Sequence, residues 1–190
     1  MMRKQYLKGL LFAAMLFSFA MPATAHTGIG ATHDFLSGIA HPLQGLDHII
    51  VMVAIGLWGC ILAKRLVWQL PASFLLAMLV GAAINLQGLT LSFAEQWVTL
   101  SVIVFGLIAI FTPRTSSVLA IVIVSFFAIC HGYVHAAEIE VGANPISYIA
   151  GFLISTAELH GLGIGLGFLY LYIFGKNKQI LVNPKKLFKL

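Results

Sequence analysis

From residue 42 to residue 174 the chain consists almost entirely of long apolar runs, and this constrains its fold more than any motif does. Five runs are present, at approximately 42–63, 67–88, 93–112, 116–138 and 145–174. Each is close to, or longer than, the roughly 20 residues an α-helix needs to cross a hydrocarbon core. In lipid, backbone N–H and C=O groups must be satisfied within the spanning segment, so runs of this length are read as helices. The expected fold is all-α: a polytopic transmembrane helical bundle of about five spans. Short connections make sequence neighbours adjacent and antiparallel. The composition agrees, with 9% charged and 60% hydrophobic residues, against about 25% charged in soluble domains. The formal charge of +5 does not point to nucleic acid, because the basic residues fall in short clusters between apolar runs. The expected partners are a lipid bilayer and, from the motifs below, a divalent metal ion, with no nucleic acid.

The first 25 residues have the layout of a secretory signal peptide. Arg3, Lys4 and Lys8 form a basic start, Leu10 to Ala20 an apolar core, and Ala23-Thr24-Ala25 a small-x-small cleavage site. Residues 26–175 would form the transmembrane helical domain and 176–190 a basic cytoplasmic tail. Cleavage after Ala25 leaves eight Lys/Arg and six Asp/Glu, a net charge of +2. Those eight cations are Lys64, Arg65, Arg114, Lys176, Lys178, Lys185, Lys186 and Lys189. On a five-span topology all lie on one side, which the positive-inside rule makes cytoplasmic. The mature N-terminus is then periplasmic and the C-terminus cytoplasmic, in a bacterial inner membrane. Cys60 and Cys130 fall near opposite faces, too far apart for a disulfide.

Ionisable side chains inside spans are costly, about 2.5–3.5 kcal/mol each on insertion scales, and usually mark function. Two segments concentrate them: His41-Pro42-Leu43-Gln44-Gly45-Leu46-Asp47-His48, and His131-Gly132-Tyr133-Val134-His135-Ala136-Ala137-Glu138. In the second, His131, His135 and Glu138 are spaced i, i+4, i+7 and share one helical stripe. Imidazole with carboxylate is ligand chemistry for divalent transition metals. In the first, Pro42 is suited to be the first helical residue, so that His41 caps the start of the span. His41 and His48 then share a face. Asp47 points elsewhere, as a ligand if the turn near Gly45 is distorted, or otherwise as an orienter of a histidine on another helix. Glu95, at the outer end of the third span, is a further candidate. The metal-site candidates are therefore His41, Asp47, His48, Glu95, His131, His135 and Glu138. Glu158 and His160, two residues apart in the last span, face nearly opposite directions and suggest a deeper station. His26, exposed by cleavage, and His33 could add to the path. Gly161, Gly163, Gly165 and Gly167 form two small-xxx-small rows suited to helix packing.

The chain has no HExxH, GxSxG or P-loop motif and no CxxCH, so neither an enzyme nor covalent haem is expected. The paired motifs resemble those of the HupE/UreJ family of small bacterial membrane proteins, regarded as nickel or cobalt permeases that serve hydrogenase or urease maturation. The resemblance rests on His41, Asp47 and His48 opening the first mature span and on His131, His135 and Glu138 in a later one. It also includes Glu95 and a signal peptide ending before a histidine. Ala136 stands where the family motif usually has glycine. The resemblance implies a permease carrying Ni²⁺ or Co²⁺ as transported ligand, with no organic cofactor, for a hydrogenase, urease or cobalamin pathway. Two other readings are a b-type haem protein with axial histidines on different spans, and a non-transporting metallocentre assembly factor. The choice of metal, the energy coupling and the oligomeric state are left open by the sequence.

Overall fold

A computed structural model describes residues 35–62, 65–139 and 144–174, and every regular element among them is helical. The expected signal peptide, His26, His33 and the basic tail lie outside the described residues. Six helices follow in order: α1 (Phe35–Gln44), α2 (Leu46–Leu62), α3 (Leu66–Leu86), α4 (Ala94–Phe111), α5 (Ser117–Ala137) and α6 (Pro145–Phe174). Helices α3 to α6 are each long and apolar enough to cross a membrane, and α1 with α2, bent by 84°, gives a fifth span if the pair is counted as one. The chain is thus an all-α, multi-pass membrane bundle.

The helix starts follow local chemistry. The Ser116 hydroxyl accepts from the Leu119 backbone N–H at 3.2 Å, capping α5. The Asn144 side chain accepts from Ile146 and Ser147 N–H, each at 3.1 Å, ahead of Pro145 in the first turn of α6. Between α1 and α2 the Gly45 carbonyl accepts from Ile49 N–H at 3.2 Å and so begins a new helix.

This break corrects the expected first span. Pro42 lies inside α1 instead of opening a helix, and His41 sits in the last turn of α1 instead of capping α2. The two helices meet at 84°. Glycine is a poor helix former and proline removes a backbone donor, so this segment is where a continuous helix is weakest. On a straight helix, seven residues would separate His41 from His48 by about 10 Å along the axis. The bend brings their ring centroids to 5.6 Å.

Helix α3 packs most extensively on α5, and α6 packs on both α2 and α1. Apolar side chains are as soluble in lipid as in a protein interior, so close backbone approach has to hold such helices together. At the α3–α5 crossing a Cβ on Gly81 would collide with the Ile129 carbonyl, and one on Gly132 with the Met78 carbonyl. Gly132 of the second motif is therefore a packing residue on the same helix as His131 and His135. Gly132→Leu should cost about 1–3 kcal/mol by overpacking, read as a lower melting temperature in detergent. The glycine rows of α6 divide: Gly163 and Gly167 pack against Val53 and Cys60, whereas a Cβ on Gly161 or Gly165 would touch none of the described residues.

Candidate metal centre

The bent α1–α2 pair and the C-terminal part of α5 converge towards one end of the bundle. One ligand atom from each of His41, His48 and His135 lies within 4.8 Å of the others. His48 and His135 are buried, at 0% and 3% exposure. Phe152 of α6 stacks on the His135 ring at 4.9 Å, and Tyr148 stands 6.0 Å from the His41 ring. A void of about 20 Å³ adjoins His135, Tyr148 and Phe152, space for one water-sized occupant.

The protonation pattern follows from the neighbours. His135 Nδ1 donates to Glu138 Oε2 at 2.9 Å, which leaves the lone pair on Nε2. That Nε2 is 2.6 Å from His48 Nε2. On its other side, His48 Nδ1 is 3.0 Å from Asp47 Oδ1, close but not aligned as a hydrogen bond. If His48 carries its hydrogen on Nε2, its Nδ1 lone pair faces a carboxylate oxygen. If it carries it on Nδ1, two Nε2 lone pairs face each other. With both imidazoles neutral, each arrangement is frustrated. One positive charge, a proton or a metal ion, relieves it.

The acids therefore act differently from the simplest expectation. Asp47 and Glu138 sit against the Nδ1 side of His48 and His135, the place from which a carboxylate orients a metal-bound histidine. Asp47 also lies in the first turn of α2, where the helix dipole favours an anion. Glu138 further approaches His41 Nε2 at 3.2 Å. It lines a hollow of about 340 Å³ together with Glu95, Phe93 and Tyr133. Glu95 is exposed at the start of α4, away from the histidines but in the same hollow.

His131 stands one turn deeper, outside the close group. Its Nε2 is 2.9 Å from Ser101 Oγ, and that hydroxyl donates to the Val98 carbonyl at 2.6 Å. The hydroxyl has one hydrogen, so it accepts from His131 Nε2–H. Ser101, Tyr148 and Phe152 belong to this environment and were not singled out in the sequence. A buried polar residue in the apolar α4 run was the available signal for Ser101. Nothing marked the two aromatics.

Fold and cluster together define a class: a polytopic helical membrane protein with a group able to hold a metal ion between its spans. The HupE / UreJ protein family model matches residues 13–181. Protein HupE of Rhizobium leguminosarum bv. viciae is 38% identical over 167 residues, covering 87% of this chain and 86% of that protein. The chain belongs to the HupE/UreJ family. No solved structure matches it.

Proposed function

We propose that this protein is an inner-membrane permease for a divalent transition metal, Ni²⁺ or Co²⁺, and not an enzyme. The observation that carries this reading is the meeting of His41, His48 and His135 from three helices, with His48 and His135 set Nε2 to Nε2. Three imidazoles suit a borderline divalent ion. A carrier also needs ligands that release, and neutral imidazoles hold less tightly than a set of thiolates. The hollow containing Glu95 and Glu138 would gather cations electrostatically, and Glu138 connects that hollow to the histidines. Asp47 and Glu138 would orient ligands, and His131 would follow one turn inward. Supply of a hydrogenase, urease or cobalamin pathway is the role the family resemblance suggests.

A haem site fits less well, because nitrogens 2.6 Å apart leave no slot for a macrocycle between His48 and His135. Uptake of radioactive nickel and cobalt into vesicles, with and without a proton gradient, tests the permease. An absence of uptake under both conditions would favour the assembly factor. A strong Soret band in purified protein would favour haem.

For topology, a reporter active only in the periplasm, fused after Lys189, should stay silent. A strong signal would invert the proposed orientation.

A further inference from the structure

Inward from the three-histidine group, α6 carries a second set of buried polar atoms that the outer site does not use. Its buried stripe includes Tyr148, Phe152, Ser155, Thr156 and His160. Phe152 stacks on His135, so that end of the stripe walls the outer group. His160 lies eight residues further along α6, roughly 12 Å deeper at 1.5 Å per residue. It is 1% exposed. The Phe74 ring packs between the two levels, with its centroid 5.8 Å from His131 and 5.1 Å from His160.

His160 Nδ1 is 2.8 Å from the Thr156 carbonyl. A carbonyl only accepts, so Nδ1 carries the hydrogen and Nε2 carries the lone pair. Among the described residues that Nε2 has no hydrogen-bond partner, and neither have Ser155 Oγ and Thr156 Oγ1. Buried polar atoms are nearly always paired. Here three within two turns of α6 are not, and one is an imidazole whose tautomer is set by a backbone carbonyl. Metal-binding histidines are oriented in the same way. Glu158 takes no part, because it faces outward and is exposed.

We propose that His160 Nε2, with the buried Ser155 and Thr156 hydroxyls about one turn before it on α6, forms an inner station for a divalent transition metal ion, occupied after the ion leaves His41, His48 and His135. This rests on the permease reading. The imidazole supplies one ligand bond, and the hydroxyls hold water that the ion keeps from its hydration shell. A single neutral imidazole binds more weakly than the outer group, as a station on the release side should.

The test uses the full chain in lipid vesicles with Co²⁺, whose absorption reports its ligand atoms. The wild type should bind two Co²⁺ per chain. His160→Leu should bind one fewer and carry the metal at least about tenfold more slowly. His160→Cys should give a thiolate-to-cobalt charge-transfer band absent from the wild type, which controls for Cys60 and Cys130. That band should persist when His48→Ala is added. If His160→Leu does not accumulate, the wild-type stoichiometry and the His160→Cys band decide the matter. A wild type binding one ion, a His160→Cys protein without the new band, or wild-type binding and uptake in His160→Leu each overturns the inner station. The permease reading fails separately, if the wild type carries no nickel or cobalt into vesicles.

Discussion

Replacing His48 or His135 with alanine should abolish nickel and cobalt uptake while leaving the amount of protein in the membrane largely unchanged. The two rings meet Nε2 to Nε2 at 2.6 Å inside the bundle, so either change removes one of the nitrogens that converge on a single point. Insertion depends on the apolar runs, which neither substitution touches. Loss of a ligand from a three-imidazole site should lower uptake by at least about 100-fold. His131→Ala should do less damage to metal capture, because His131 lies outside the close group and bonds to Ser101. Vesicle uptake with immunoblotted protein levels separates the three variants. Normal transport by both His48→Ala and His135→Ala would end the metal reading of this cluster. Equal loss in all three would place His131 among the ligands.

The second large effect should come from the acids. Asp47→Asn and Glu138→Gln keep shape and remove charge. Their carboxylates lie 3.0 Å from His48 Nδ1 and 2.9 Å from His135 Nδ1. An amide oxygen can still accept a hydrogen bond, but it is less basic and a flipped amide offers a donor instead. Loss of such an orienting partner typically weakens metal affinity by about 10–100-fold. Each variant should therefore bind Ni²⁺ or Co²⁺ more weakly by that factor, with unchanged stoichiometry, in equilibrium dialysis. A lost ion instead of a weakened one would make that carboxylate a direct ligand. Glu138→Gln should also slow capture at low metal concentration, because Glu138 lines the hollow shared with Glu95. Glu95→Gln should show that kinetic defect without the affinity defect, since Glu95 lies in the hollow and not at the histidines.

Much of this protein can be read directly from its sequence. In lipid, backbone hydrogen bonds leave helices as the outcome for long apolar runs, and this set the helices α2 to α6 close to where the runs lie. The stripe of His131, His135 and Glu138 follows from 3.6 residues per turn, because it lies within one helix or at its end. The same periodicity separated Glu158 from His160, and the bundle turns them outward and inward respectively. Facts of this kind depend on residues close together in the chain.

Tertiary structure decided the rest. A straight helix puts His41 and His48 on one face a full 10 Å apart; the 84° break at Gly45 folds them onto the same point. Local sequence marks Pro42 and Gly45 as weak spots, but packing of α1 against α6 determines that the chain bends there and in which direction. The choice of His135 over His131 as the partner of His48 depends on the depth at which α2 and α5 cross. Ser101 and Tyr148 join the site from helices that carry neither motif. Periodicity fixes which face of a helix a side chain occupies. Which faces meet, and at what depth, is fixed by close contacts such as Gly81 and Gly132 against facing backbone, and those contacts exist only once the helices are assembled.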